Sequence, residues 1–92
     1  MTGDQAQIVA LRALEWIATD ADTLGAFLAA AGIGPERLRA GAADPDFLAA
    51  VLDFLTEGDA RIRAFCEATG LPPTAPMAAR AALPGGGQVH WT

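Results

Sequence analysis

Acidic residues are the first candidates for chemistry in this chain. Asp20-Ala21-Asp22-Thr23-Leu24-Gly25 starts like a calcium loop, with acids at positions one and three and glycine at six. Such a loop also needs an oxygen ligand at position five and a bidentate glutamate at twelve. Here those places hold Leu24 and Ala31. The acids therefore read as helix caps, which a positive helix end favours, and Asp44-Pro45-Asp46 reads the same way. Cys66 and His90 are the single thiol and the single imidazole. A nucleophilic pair would need them adjacent, with a third group orienting the base. Cys66 instead falls on the apolar side of a helix and His90 beyond three glycines, and two ligands do not close a structural zinc site. The sequence holds no serine, lysine, tyrosine or asparagine, which removes a serine nucleophile, a Schiff-base lysine and a catalytic tyrosine. The expectation is a protein that is not an enzyme and carries no cofactor and no metal.

A second motif points elsewhere. Ala31-Gly32-Ile33-Gly34-Pro35-Glu36-Arg37 resembles the hairpin of the helix-hairpin-helix family. That resemblance implies non-specific binding of the nucleic-acid backbone, with backbone amides of the turn on a phosphate and Arg37 and Arg39 as phosphate contacts. The sequence departs from the motif at Glu36, where a cation belongs, and at Leu38, where a small residue belongs. The formal charge of −5 also opposes a grip on phosphate. Nucleic-acid binding is the alternative reading, not the leading one.

These residues must be positioned by helices. Slightly over half the residues are apolar, much of that share is alanine, and valine occurs only at three positions, so helix is favoured over strand. Punctuation by Asp, Gly and Pro predicts about six short helices. They cover residues 5–18, 22–31, 35–42, 45–57 and 59–70, with the last opening among Pro72, Pro73 and Pro76 and ending near Leu83. Residues 1–83 should form a single all-α domain, and 84–92 a flexible glycine-rich tail.

The apolar arc of the first helix runs from Trp16 and Val9 through Ala13, Ile17 and Ala10 to Leu14 and Leu11. It is wider than burial against one layer of neighbours requires. That helix is therefore either central or part of an interface. Val9 and Trp16, at the arc's edge, are the candidate contacts, joined by Trp91 in the tail.

An offset of 38 residues lays 14–35 over 52–73. Leu14, Ala26, Phe27, Ala30, Gly32 and Pro35 recur as Leu52, Ala64, Phe65, Ala68, Gly70 and Pro73. The fold is thus expected as two pseudo-repeats of a helix, a turn, a helix and a Gly/Pro joint. Gly32 and Gly70 should end helices in the left-handed conformation, and Pro35 and Pro73 should open the next ones. In the second copy Pro72 replaces Gly34, so the two copies share the cap and not the phosphate cradle.

With that unit in view, the chain resembles a family of short, all-helical bacterial proteins defined as a domain of unknown function. The likeness rests on Ala50-Val51-Leu52-Asp53-Phe54-Leu55 and Ala68-Thr69-Gly70-Leu71-Pro72. It implies a fold class and a proteobacterial cytoplasm, and no activity. One cysteine suits a reducing compartment. The acidic start has no basic residue before Arg12, unlike a signal peptide, and the apolar run from Leu24 to Ile33 is about half a membrane span. The leading expectation is a small interaction or adaptor module, acting on a protein partner or on a second copy of itself as a homodimer.

Overall fold

The computed structural model describes residues 1–83. They form six helices and, among the described residues, no strand: α1 (Gly3–Ala18), α2 (Ala21–Ala31), α3 (Arg37–Gly41), α4 (Pro45–Leu55), α5 (Asp59–Thr69) and α6 (Ala75–Ala82). The all-α expectation holds. The tail, with its expected flexibility and Trp91, lies outside the described residues.

Local hydrogen bonds set the helix ends. α1 starts at Gly3, two residues before the expected start, because Thr2 and Gln5 close a reciprocal box. The Thr2 amide donates to Gln5 Oε1 at 2.9 Å and the Gln5 amide to Thr2 Oγ1 at 3.1 Å. Asp20 caps α2 by accepting from the Thr23 amide at 3.2 Å, and Asp44 caps α4 by accepting from the Asp46 amide at 3.0 Å, with Pro45 in the first turn as expected. α4 stops at Leu55, short of Glu57. The Thr56 hydroxyl donates to the Leu52 carbonyl at 2.8 Å, and the Glu57 amide turns back to Phe54.

Gly32 and Gly70 both adopt positive φ, 71° and 76°, a region that costs other residues a clash at Cβ. The Gly32 and Ile33 amides both donate to the Leu28 carbonyl, at 2.9 and 3.1 Å. The second joint differs in detail: the Gly70 amide reaches Cys66 at 2.8 Å, but the Leu71 amide takes the Thr69 hydroxyl at 3.4 Å. Pro35 and Pro73 do not open helices. Each lies in a tight turn two residues ahead of one. The Arg37 amide donates to Gly34 and the Ala75 amide to Pro72, so a closed turn intervenes before regular helix begins. Pro76 does sit in the first turn of α6.

The ends of α2 and α5, both left-handed glycines and the starts of α3 and α6 all keep the 38-residue offset. The packing does not follow it. α2 lies against α1 and α4, whereas α5 lies chiefly against α1.

α1 is the central helix, with α4 and α6 packed most extensively on it and α2 and α5 at its flanks. Its buried side is small: Ala6, Val9, Ala10, Ala13 and Ile17. Alanine on one helix admits close approach of another, and α6 answers with Ala75, Pro76 and Ala79, all buried. The larger apolar volume comes from α4, whose Leu48, Val51, Leu52 and Leu55 are fully buried, and from Phe27 and Phe65. Phe27 meets Phe47 and Phe54 edge to face at centroid distances of 5.7 and 5.4 Å, a favoured geometry for aromatic pairs. The ring of Phe47 sits where a side chain on Gly41 would be, so that glycine is fixed by packing rather than by φ.

Two glycine substitutions should therefore act in opposite directions. Gly41→Ala must displace the Phe47 ring and should destabilise by about 1–3 kcal/mol. Gly25→Ala meets open space in the interior of α2 and should stabilise by about 0.4–1 kcal/mol. Urea unfolding of the two variants beside the parent chain measures both.

Candidate functional site

The outward side of α1 follows from its buried side. At about 100° per residue, the buried residues cluster on one arc, and Asp4, Ile8, Leu11 and Glu15 share an arc about 60° wide directly opposite. Ile8 is 58 % exposed and Leu11 39 %. Among the described residues the other large exposed apolar side chains are Met1, just ahead of α1, and Met77, on the outward side of α6.

Two of the expected contacts are less exposed than this pair. Val9 is only 7 % exposed. Trp16 is half-buried, with its ring edge to face on Phe65 at 5.8 Å. Their reading as candidate contacts rests on an apolar arc wider than one layer of neighbours can bury. Four helices pack on α1, and α5 covers the edge where Trp16 lies. Leu11 stays at the surface, joined by Ile8, which the arc did not include. The signal available in the sequence was an Ile/Leu pair spaced i,i+3 and bracketed at i−4 and i+4 by acids. It is easily passed over beside a much longer apolar run on the other side.

Charges around the patch are unevenly committed. Arg12 turns away to the end of α5, where its Nη2 donates to the Thr69 carbonyl at 3.1 Å, a favourable place for a cation. Asp4 and Glu15 form no ion pair among the described residues. Asp4 lies in the first turn of α1, where the helix dipole favours it.

The hairpin is arranged as a helix joint. Its Gly32 and Ile33 amides, which a phosphate would need, are taken by Leu28. The Glu36 carboxylate lies over Gly34, where a Cβ would collide with it. Arg37 and Arg39 are exposed on the five-residue α3. Other arginines are engaged: Arg80 Nε on Asp53 at 2.6 Å, and Arg61 on the Phe54 carbonyl at 2.8 Å and on Glu57 at 3.6 Å. Arg61 also covers the Phe54 ring at 3.9 Å. A shallow groove of about 160 Å³ between α2 and α4 has Phe27 and Phe54 at its floor, and both of its acids, Asp53 and Glu57, are the ones these arginines hold.

Asp20 and Asp44 act as caps in the geometry described above. Hydrogen bonds from the Thr23 hydroxyl and amide hold the Asp20 carboxyl below its ordinary pKa. Protonating it at low pH forfeits them, so this cap is intact above the usual carboxylate range and lost as pH falls through the depressed value. Cys66 is buried, its Sγ 3.5 Å from the Pro72 carbonyl, and burial pushes its thiol pKa up. No group of three His, Cys, Asp or Glu among the described residues could hold a metal ion. His90 lies outside them. No described helix is long and apolar enough to cross a membrane.

A family model described as a protein of unknown function, DUF3572, matches residues 3–86, and the chain belongs to that family. No curated protein and no solved structure matches the chain.

A thiol reagent should label Cys66 far more slowly in the native protein than in denaturant, since both burial and a raised pKa suppress the thiolate. Rapid native labelling would mean that α5 presents a different face. At roughly 0.15 M salt, the Arg37 and Arg39 surface should give random duplex DNA no dissociation constant tighter than ~10⁻⁴ M by fluorescence anisotropy.

Proposed function

We propose that this member of the family is a small, non-enzymatic interaction module that docks through the outward face of α1. The observation that carries the reading is the Ile8–Leu11 pair, exposed on the side of α1 that the other described helices leave uncovered. Burying an Ile or Leu side chain is worth about 1.5–3 kcal/mol relative to full exposure. Two partly exposed side chains supply the centre of a modest interface, suited to reversible contact rather than to an obligate complex. Cys66 is withdrawn from solvent, and the capping acids are engaged in local hydrogen bonds. These features support binding rather than turnover. The setting of this reading is the proteobacterial cytoplasm implied by the sequence resemblance, where a lone buried thiol stays reduced.

The test is site-specific photo-crosslinking in cells. A photoreactive residue replaces Gln7, beside the pair, or Ala29, exposed on α2. Discrete adducts are expected from position 7 and not from position 29. They should disappear with Ile8→Gln/Leu11→Gln, which keeps helix propensity and should cost folding less than ~1 kcal/mol. Adducts indifferent to that double change, or no adducts from position 7, would remove this face as the docking site.

A further inference from the structure

The ends of the same stripe specify what can lie on it. Along α1, Asp4, Ile8, Leu11 and Glu15 follow one line, acid, apolar, apolar, acid, about 16 Å long at 1.5 Å per residue. Both apolar residues are exposed, and neither acid has an ion-pair partner among the described residues. Arg12, the nearest cation in sequence, is held away on the Thr69 carbonyl. The chain as a whole carries a formal −5, which repels acidic partners and steers basic ones.

A second copy is a poor occupant. If two such stripes pair antiparallel, Asp4 faces Glu15 at both ends; if they pair parallel, Asp4 faces Asp4 and Glu15 faces Glu15. Either way the apolar centre is bracketed by opposed carboxylates. An extended peptide is also disfavoured, because a helix offers no free backbone edge for it to bond. A second helix laid along the first can match the straight stripe residue for residue.

We infer that this face takes a basic amphipathic helix of a partner protein, with two apolar residues spaced i,i+3 or i,i+4 bracketed by Arg or Lys one turn beyond each end. The inference rests on the docking face proposed above and adds its charge code. Ile8 and Leu11 supply the desolvated centre, while Asp4 and Glu15 at the rim set partner choice and association rate more than affinity.

The test is selection from a displayed library of peptides about 16 residues long, roughly four helical turns, on the folded full chain and on three variants checked by circular dichroism. The variants are Asp4→Asn/Glu15→Gln, Asp4→Lys/Glu15→Lys and Ile8→Gln/Leu11→Gln. Peptides selected on the parent chain should be basic and amphipathic. Their affinity should fall about fivefold on the neutralised variant, further on the charge-reversed one, and vanish on Ile8→Gln/Leu11→Gln. Selected peptides without a basic bias, or unmoved by neutralising Asp4 and Glu15, overturn the charge code and leave the docking face standing. Peptides that still bind Ile8→Gln/Leu11→Gln, or no selection at all, overturn both. A parent chain that sediments as a dimer at ~100 µM, within the reach of weak association, and dissociates on Ile8→Gln/Leu11→Gln would replace the basic partner with a second copy.

Discussion

Close contact between the alanine-lined side of α1 and the helices around it is the interaction on which the structure depends. Ala6, Ala10 and Ala13 are completely buried. Alanine removes little apolar area from water, so the gain comes from how near a neighbouring backbone can approach and from dense packing of the small atoms there. A bulky residue at any of these three positions would push a neighbour outward, and four helices depend on α1 for their seats. The bulk needed for a real core is supplied from outside that seam, by the leucines of α4 and by the phenylalanines of α2 and α5. The division is economical for a short chain, in which a small core leaves little reserve of stability.

That same seam decides where a surface can be. Because four helices converge on one side of α1, its opposite side is the part of the helix that no other described helix covers. The position of Ile8 and Leu11 is thus a geometric consequence of the packing, and only their chemistry is left to be chosen. A polar pair there would serve solubility better. α2 offers the contrast: it is apolar along almost its whole length, yet beyond Asp22 its outward residues are alanines and a glycine, and it exposes no large apolar side chain.

The helix ends were legible because capping is local. Asp20, Asp44, Gly32 and Gly70 act through bonds to residues two to four positions away, so the sequence contains most of what determines them. Pro35 and Pro73 misled for a related reason. A proline fits a first helical turn, but it fits the turn before a helix equally well, and which one forms depends on the chain leaving the preceding glycine. Trp16 and Val9 show the other limit. An apolar arc tells which side chains need cover, and not how many neighbours will provide it, because that depends on how helices far apart in sequence converge. Ile8 was missed by the converse error, since one apolar residue on a polar face is ordinary in isolation and acquires meaning only once Leu11 is found uncovered beside it.

The distribution of charge completes the connection between fold and surface. Three of the six cations are tied into the structure: Arg12 to the end of α5, Arg61 to Phe54 and Glu57, and Arg80 to Asp53. Arginine suits such places because its planar fork can satisfy a carbonyl, a carboxylate and a ring face at once. Cations bound in this way hold helices together, and one does so at the flank of the exposed stripe itself. The acids at the two ends of that stripe have no ion-pair partner among the described residues. Among the described residues, an apolar centre between unpaired carboxylates is therefore what remains of α1 once its packing and its arginine contact have been satisfied, and a partner that answers both features must bring apolar side chains and positive charge together.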